Sequence, residues 1–455
     1  MNDDGEPPRT GSSVTAPGRI RRVDGALLGL VTLAAIVIVL WAVATPPWRA
    51  PDEPSHFSYI EQLVRDRTLP LWKKSLLFTD VEVSIGRTNF AGITGATSTP
   101  INVAAPSPDT SAQHPPLYYL LMSPVYALFH GASTETQLYA IRIAGAIIFA
   151  ALIAVCYRFA RLIFPRQRYL QLGVPLLVIL HPQLGFISAG VMNDGLETLL
   201  FTLFLYQLVR FARGDFSRKR GIYLGIIAGL GMLTKSSFVL AFPCAAAVAG
   251  VLLFTRKTER KQLLKSAGLA LGIAIVICSW WYIRNYVELG TFQPTMVGER
   301  YHTTSWWYLW KSTTFRFDLI ASFIGNFSWL TIQLPAEVVH FFNRTIETSL
   351  IGVVAALIIA RFRSGWSLIK PWLAGLFAGV LALFFLAGTY YELTVAGTQG
   401  RYLFPAIFPF WTLVLSGLVG WMPPRLRPRA TALIVLAAGL FFSWALFHEF
   451  LGRVT

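Results

Sequence analysis

The chain has 455 residues, of which 54% are hydrophobic and only 14% are charged. This composition excludes an ordinary soluble domain, in which about a quarter of the residues are charged. The net charge of +16 suits either a nucleic-acid-binding protein or a membrane protein with basic inner loops, and the distribution of the charge decides between them.

Apolar stretches of about 18–25 residues recur along the whole length, and each is long enough to cross a bilayer as a helix. We predict an all-α, polytopic integral membrane domain over residues 25–455, preceded by a disordered, polar cytoplasmic tail over residues 1–24. About eleven transmembrane helices are expected, at residues 25–45, 138–162, 170–188, 195–213, 220–234, 237–255, 266–284, 345–361, 370–389, 402–421 and 431–449.

Basic residues are concentrated in short segments on one side of these spans. With the amino terminus inside, the inner segments hold 24 of the 39 Lys and Arg residues but only 6 of the 23 acids. This asymmetry follows the positive-inside rule. The basic excess therefore indicates orientation and contact with anionic membrane lipids, not binding of nucleic acid.

Two predicted outer loops are long, residues 46–137 and 285–344. Within the first, residues 55–66 have an amphipathic pattern, which predicts a helix parallel to the membrane. Residues 114–131 are apolar but short and contain three prolines, so we expect an interfacial or re-entrant helix there. The second loop is rich in tryptophans that are typical of the headgroup layer, namely Trp306, Trp307, Trp310 and Trp329.

An acidic pair follows the first predicted span, in the segment PPWRAPDEPSHF at residues 46–57. Ionisable groups at the membrane boundary are costly and indicate a function. Asp52 and Glu53 are our candidate catalytic residues, with Asp52 as a general base and Glu53 as a metal ligand or structural partner. The sequence does not decide which of the two residues is the base. It also allows the pair to be a solvated turn or a helix cap. His56 is a supporting residue, either as a hydrogen-bonding neighbour or as a base.

Further polar motifs lie at the predicted outer ends of later spans. Asn193 and Asp194 occupy the turn before the fourth span, where Asp194 either caps the helix or takes part in catalysis. Lys235 ends the fifth span and Arg284 ends the seventh. Each of these two cations either binds a phosphate or has a structural role, as a headgroup anchor for Lys235 and as a partner of Glu288 for Arg284.

The tenth predicted span opens with the motif GTQGRYLFP at residues 397–405. Arg401 is a third candidate for binding a donor phosphate, with Gln399 and Tyr402 as supporting residues. We expect Gly400 to let the backbone approach a phosphate closely. Arg142, near the start of the second span, faces either a first-loop carboxylate or lipid headgroups.

Taken together and in order, these motifs resemble the GT-C superfamily of membrane glycosyltransferases. The resemblance rests on the acidic pair, the HPPLYY segment that begins at His114, Arg142 in its span, the Thr-Lys turn at Lys235 and the late Arg-Tyr motif at Arg401. PPWRAPDEPSHF, the Asn193-Asp194 turn and GTQGRYLFP look like a bacterial family called domain of unknown function 2142. The likeness covers roughly residues 25–420.

The resemblance implies transfer of a sugar from a polyprenyl-phosphate donor to a glycan, lipid or protein acceptor. The reaction would take place at the extracytoplasmic face of the bacterial cytoplasmic membrane. We expect no certain cofactor, although a divalent metal ion on the carboxylates stays open. A lipid or glycan flippase and a non-catalytic scaffold in envelope-glycan assembly are the alternatives. A flippase would place ionisable residues in mid-span and break paired helices, whereas the charges here cluster at span ends.

Overall fold

The computed structural model describes residues 24–88, 107–294, 312–362, 368–394 and 399–454. These residues are predominantly helical, which confirms the predicted all-α fold class. The helices are α1 (Gly25–Ala44), α2 (Glu53–Arg65), α3 (Thr79–Arg87), α4 (Leu117–Leu128), α5 (Thr134–Ile163), α6 (Arg168–Ile179), α7 (Pro182–Ala189), α8 (Asp194–Ala212), α9 (Arg218–Met232), α10 (Ala241–Thr255), α11 (Arg260–Leu289), α12 (Thr313–Ile324), α13 (Ala336–Phe362), α14 (Pro371–Thr394), α15 (Ile407–Gly420) and α16 (Arg427–Trp444).

Shorter elements complete the described fold. Strands β1 (Asn326–Phe327) and β2 (Ile332–Gln333) pair antiparallel, with Asn326 opposite Gln333. Helix α16 continues through a π-helical stretch, Ala445–Leu451, into a last turn, Gly452–Val454. The short 3₁₀ segments are Thr110–Gln113, Ser236–Leu240, Lys257–Glu259 and Gly400–Ala406.

Nine helical stretches in the described ranges are long and apolar enough to cross a membrane, or ten if the bent pair α6–α7 counts as one span. The predicted count of eleven differs at α9, which has only 15 residues. At about 1.5 Å per residue it extends roughly 22 Å, less than the hydrocarbon core of about 30 Å. Nevertheless, α9 runs alongside α8 from the Arg220–Asp215 pair at one end of the bundle to the Lys235–Asp194 pair at the other, so the chain crosses the bundle at this point.

The third predicted span is broken. Helices α6 and α7 meet at an angle of 57°. Pro182 begins α7, and proline cannot donate the backbone hydrogen bond that would continue the preceding helix. His181 stabilises the bend, since its Nε2 lies 2.7 Å from the carbonyl oxygen of Phe323.

The described parts of both long loops contain helices. In the first, α2 forms where an amphipathic helix was expected, but residues 53–61 are buried on every side. It therefore packs within protein instead of resting one face on a membrane. Helix α4 is short and apolar and contains Pro124, in line with the non-spanning helix predicted there.

The second loop begins later and ends earlier than predicted, because α11 extends to Leu289 and α13 starts at Ala336. Helix α12 and the β-hairpin lie between them. Trp329 is in the hairpin, where its indole nitrogen donates to the carbonyl oxygen of Trp48 at 2.9 Å. The predicted tail and Trp306, Trp307 and Trp310 lie outside the described residues.

An aromatic cluster ties the hairpin to the end of α1. The fully buried ring of Trp41 lies 5.7 Å from Phe186, 5.3 Å from Phe327 and 5.4 Å from Phe450. Buried aromatic pairs of this kind contribute packing beyond their area. The cluster fixes α1, α7 and β1 directly beneath the residues that follow α1.

Two groups of contacts mark opposite ends of the bundle. Asp24, before α1, pairs with Arg161 near the end of α5 at 2.8 Å. At the other end, Arg49, after α1, donates to Ser328 in the hairpin at 3.2 Å. Segments that the charge pattern assigns to the same side of the membrane therefore contact each other: Asp24 with Arg161, and Arg49 with Ser328.

Candidate active site

Four predicted site residues converge at the end of the bundle that holds Arg49. Asp52 follows α1, Asp194 opens α8, Lys235 follows α9 and Arg401 precedes α15. The sequence separates them by as much as 349 positions, yet they form two ion pairs around one aromatic ring. Successive helices run in opposite directions, so the end of one helix lies beside the start of the next. Each of the four residues lies at such a helix end, which brings them to the same end of the bundle.

Asp52 is held in a constrained backbone segment. Its φ of 60° places it in the left-handed region, which Asp tolerates better than most residues. Although Asp52 occupies the N-cap position of α2, its side chain makes no capping hydrogen bond. Instead, the carboxylate accepts a hydrogen bond from Arg401 Nη2 at 2.6 Å. The simple capping role that the sequence allowed is therefore not what this carboxylate does.

The environment of Asp52 favours its charged form. Burial raises the pKa of the carboxyl, but the charge and hydrogen bond of Arg401 outweigh burial, so that the pKa lies below its ordinary value. The side chain of Asp52 remains 38% exposed, whereas that of Arg401 is 8% exposed. The carboxylate is thus ionised and can be reached, and it is held by a nearly buried cation.

Arg401 is positioned by the 3₁₀ segment at the start of the tenth predicted span. Gly400 lies so close to the backbone of Phe323 that a Cβ there would overlap it. Its N–H donates to Ser322 Oγ at 2.8 Å. The close approach that Gly400 allows is therefore to α12, and not to a phosphate as the sequence suggested.

Lys235 forms the second ion pair. Its Nζ lies 2.9 Å from Asp194 and 3.7 Å from Glu197, with all three side chains buried. Burial alone would lower the pKa of Lys235, but the two carboxylates raise it above its ordinary value, so the ammonium stays charged. Glu197 also accepts a hydrogen bond from Ser237.

Tyr402 joins the two ion pairs. Lys235 Nζ lies 5.7 Å from the centre of its ring, and Arg401 Cζ lies 5.6 Å from the same ring. Both distances are within the range of cation–π attraction. Two cations from distant parts of the chain therefore flank one aromatic side chain, beside the Asp52 carboxylate.

Glu53 is separated from this site although it is adjacent to Asp52 in sequence. It is fully buried and accepts from Arg142 Nε at 2.7 Å and Arg142 Nη2 at 2.5 Å. The N–H of Val191 donates to the same carboxylate at 3.1 Å. Arg142 thus faces a first-loop carboxylate, and Glu53 is saturated with donors in a structural cluster.

Two neutral histidines line the wall next to Asp52. His56 Nδ1 lies 2.8 Å from the hydroxyl of Tyr119, and the His56 and His114 rings stack at 5.6 Å. Burial lowers the pKa of His56 to about 4, against the opposing effect of Asp52, and burial also lowers the pKa of His114 well below its ordinary value. Both rings are therefore uncharged at neutral pH and act as polar neighbours.

The remaining predicted residues lie at varying distances from this centre. Asn193 donates to the Thr234 carbonyl at 3.1 Å and so joins α8 to the Lys235 turn. Gln399 caps the 3₁₀ segment through its backbone carbonyl, which accepts from Tyr402 N–H at 3.1 Å. Arg284 is not brought to Asp52. It donates instead to the carbonyls of Leu69 and Pro70, at 3.0 and 2.9 Å.

Glu197 was not among the predicted site residues. It lies three residues after Asp194, so both carboxylates project from one face of α8, and this spacing was the available signal. Ser322, which holds Gly400, gave no signal because its contact joins segments 78 positions apart in the sequence.

An apolar groove adjoins the site, with a volume of about 970 Å³. It lies between α12, α13, α14 and the start of α15, and its lining includes Phe323, Phe385, Leu403 and Phe410. Leu403 is two residues from Arg401. Arg401, Asp52 and Lys235 do not line the groove, but Leu403 belongs to the same 3₁₀ segment as Arg401, so the apolar surface begins next to that segment.

The residues present do not favour a metal site. No group of three or more His, Cys, Asp and Glu side chains in the described ranges is arranged to hold a metal ion. The carboxylates of Asp52, Glu53 and Asp194 are each engaged by a cationic side chain. The positive charge in this site is supplied by Arg401 and Lys235.

The arrangement provides an accessible carboxylate and two cations in a polar centre beside an apolar groove. A carboxylate of this kind can accept a proton from a hydroxyl. Cations so placed can stabilise a phosphate or another departing anion. The site thus has the parts for accepting a proton and for stabilising a departing anion.

Several solved structures are similar to this chain. ArnT from Cupriavidus metallidurans, bound to undecaprenyl phosphate, is 14% identical, with a TM-score of 0.45 and coverage of 94% of this chain and 78% of that one. The Archaeoglobus fulgidus oligosaccharyltransferase in the apo form is also 14% identical, with a TM-score of 0.46 over 94% of this chain and 55% of the other. No curated protein matches the sequence.

A family model provides the sequence relationship. The family described as "Predicted membrane protein (DUF2142)" matches residues 92–410, which is more than half of the chain. The matched region contains Asp194, Lys235 and Arg401, but it begins after Asp52. The chain therefore belongs to the DUF2142 family of predicted membrane proteins.

Proposed function

We propose that the protein is a membrane glycosyltransferase that moves a sugar from a polyprenyl-phosphate donor to a hydroxyl acceptor on a glycan, lipid or protein. The site would face the extracytoplasmic side of a bacterial cytoplasmic membrane. The observation that carries this proposal is the Asp52 carboxylate held 2.6 Å from Arg401, with Lys235 across the Tyr402 ring.

The roles of the cations follow from their charge and position. A leaving polyprenyl phosphate carries negative charge that must be stabilised as the sugar departs. Arg401 can bind a phosphate through two parallel N–H donors, and Lys235 adds a second positive charge. Arg284 has no part in this proposal, since its guanidinium is committed to the carbonyls of Leu69 and Pro70.

The apolar groove supports a lipid-linked donor. Its volume of about 970 Å³ lies at the upper end of the usual range for ligand sites. A polyprenyl chain placed along Phe410 and Phe385 would bring its phosphate towards Arg401, because Leu403, which lines the groove, lies in the same 3₁₀ segment as Arg401. A soluble nucleotide sugar would have no use for such a surface.

The reaction that suits this geometry is a direct displacement. The acceptor oxygen forms a bond to the anomeric carbon while the bond from that carbon to the phosphate oxygen breaks. Asp52 takes the acceptor proton, and the polyprenyl phosphate leaves with its charge beside Arg401 and Lys235. One displacement inverts the configuration of the anomeric carbon.

The proposal is tested with purified protein in nanodiscs and a panel of polyprenyl-phosphate sugars, scoring both donor binding and sugar transfer. Asp52→Asn keeps the shape of the side chain but removes the base. Turnover should fall by about 10²–10⁴-fold, the usual contribution of general base catalysis, while donor binding persists. Asp66→Asn, an exposed acid on the same loop, is the matched control and should leave turnover unchanged.

The two alternative functions make different predictions. A flippase would move the lipid-linked sugar across the bilayer and leave the sugar on its carrier. A scaffold would show no turnover with any donor and would keep its partners when Asp52 is replaced. Transfer activity that survives Asp52→Asn would refute the role of this carboxylate.

A further inference from the structure

A second charged cavity lies at the opposite end of the bundle from Asp52. It has a volume of about 410 Å³, and three cations, Arg213, Arg256 and Lys370, contribute to its lining. Trp372 and Ile163 provide apolar parts of the wall. We call this the basic cavity. None of its residues belongs to the candidate active site.

The basic cavity is formed where four predicted spans end on one side. Helix α5 ends at Ile163, α8 at Ala212 and α10 at Thr255, and α14 begins at Pro371. By the charge distribution of the sequence, this is the cytoplasmic side. The cavity therefore lies at the depth of the inner-leaflet headgroups.

Local structure brings the cations together. Gly214, with a φ of +102°, ends the turn after α8 in a conformation that glycine adopts readily. The position of an added Cβ on Gly214 lies 3.4 Å from the Arg256 guanidinium. The absence of a side chain at this turn therefore allows Arg256, from the end of α10, to reach the cavity beside Arg213.

The positive charge of the cavity is only partly balanced. Arg256 pairs with Glu259 at 2.9 Å. Across the described part of the chain, neither Arg213 nor Lys370 forms a salt bridge with an acidic side chain. Arg213 and Lys370 are both exposed residues at an open cavity, and two cations without an acidic partner there favour an anionic ligand from the surroundings.

We infer that the basic cavity binds the phosphate of an anionic phospholipid from the cytoplasmic leaflet. Basic cavities between spanning helices on this side are suited to lipid headgroups. The surroundings favour a lipid over a soluble anion, because Trp372 in the cavity wall is 41% exposed and Phe254, two residues before Arg256, is 79% exposed. The headgroup phosphate would contact the cations, and an acyl chain would cover Trp372.

The test uses the full-length protein in detergent, with native mass spectrometry after addition of phosphatidylglycerol or phosphatidylcholine. Phosphatidylglycerol should be retained in preference to phosphatidylcholine. The variant Arg213→Gln/Lys370→Gln should bind phosphatidylglycerol roughly 10- to 30-fold more weakly. Arg213→Lys/Lys370→Arg should keep the preference, which separates lost charge from lost folding.

The control variant Arg425→Gln/Arg429→Gln removes two exposed cations from the same end of the bundle, outside the cavity. It should bind phosphatidylglycerol as the unaltered protein does. If both double variants lost phosphatidylglycerol binding equally, binding would depend on overall charge at this end of the bundle. That result would overturn the inference of a specific lipid site. Displacement of the lipid by millimolar inorganic phosphate would also overturn the inference, by identifying the ligand as a soluble anion.

Discussion

At the scale of single residues, the candidate base and its neighbouring cation restrain each other. Arg401 keeps Asp52 ionised, but it also makes the carboxylate a weaker proton acceptor by holding its pKa below the ordinary value. A donor phosphate that bound Arg401 would compete with Asp52 for the same guanidinium. Binding of the donor would therefore break the Arg401–Asp52 ion pair, and Asp52 would become a stronger proton acceptor only when the donor is bound.

This competition predicts two different acid limbs in the pH dependence of sugar transfer. The profile of kcat/KM for the donor reports the free enzyme, in which Arg401 depresses the pKa of Asp52, so activity should persist to low pH. The profile of kcat reports the donor complex, in which the pKa should be higher and activity should be lost at a higher pH. Coincident limbs in steady-state measurements would contradict the competition.

The variant Arg401→Gln provides the corresponding test in the free enzyme. Without the guanidinium, burial is opposed only by the smaller effects of His56 and His114, so the pKa of Asp52 rises. The acid limb of kcat/KM should therefore move to higher pH than in the unaltered protein, in addition to any loss of donor affinity. His56, whose pKa is about 4, should add no limb near neutral pH.

Most of the individual site residues could be found in the sequence, but their pairing could not. Asp52, Lys235 and Arg401 each follow from a charged residue at the end of an apolar span. Nothing in the sequence indicates that Arg401 contacts Asp52, since that contact joins segments 349 residues apart. For the same reason Arg284, which has the same local pattern, could not be separated from the other cations.

At the scale of secondary-structure elements, the first outer loop is fixed to α5 by one buried ion pair. Glu53 and Arg142 are both fully buried, and Arg142 also donates to the carbonyls of Ala42, Thr45 and Pro46. The pair orients the segment that carries Asp52. Adjacent carboxylates thus have separate tasks, one structural and the other proposed to be catalytic.

Glu53→Gln should therefore destabilise the protein. Removing one partner of a buried pair leaves an uncompensated charge and costs about 3–5 kcal/mol. Thermal unfolding in detergent should show a large fall in Tm for Glu53→Gln and little change for Asp52→Asn, whose carboxylate is partly exposed. A Glu53→Gln variant that folds normally but is inactive would instead assign the base to Glu53.

The short helix α9 is held against α11 by glycines spaced four residues apart. A Cβ added to Gly225 would lie 2.6 Å from the Ala270 carbonyl oxygen, and one added to Gly221 would lie 2.6 Å from that of Ser266. Small residues at such positions let two helix backbones approach closely. This packing explains how a helix too short to span alone is retained, and periodicity alone did not reveal it.

Gly225→Ala should lower the stability of the helix pair despite the better helix propensity of alanine. The backbones must move apart to admit the methyl group, at a cost of about 1–3 kcal/mol. Gly272→Ala on α11 is the matched control, because nothing lies within 4 Å of its added Cβ, and it should be neutral or slightly stabilising. Equal Tm values for the two variants would argue against close packing.

At the scale of the whole molecule, hydropathy predicted the class of fold and the positions of most long helices. It failed where geometry depends on distant contacts, as at the bend between α6 and α7, which His181 stabilises through the carbonyl of Phe323. The β-hairpin was also missed, because each strand has only two residues. Elements of that length leave no measurable periodicity.

The two ends of the bundle give a testable orientation. Near the carboxyl terminus, Arg453 donates to the carbonyl oxygen of Gln333 at 3.2 Å. The same hairpin contacts the first loop through Ser328 and Arg49. Val454 should therefore lie on the same side as Asp52, opposite the α9 segment that contains Lys219.

This arrangement predicts which single cysteines react with a membrane-impermeant maleimide in intact cells. Val454→Cys and Asp66→Cys should be labelled from outside, whereas Lys219→Cys should react only after the membrane is permeabilised. Background labelling should be low, because Cys156, Cys244 and Cys278 are all buried. The contact of Arg453 with the hairpin cannot cross a bilayer, so Val454 and Asp52 must share a side. If Val454→Cys and Lys219→Cys reacted under the same condition, that placement would be contradicted.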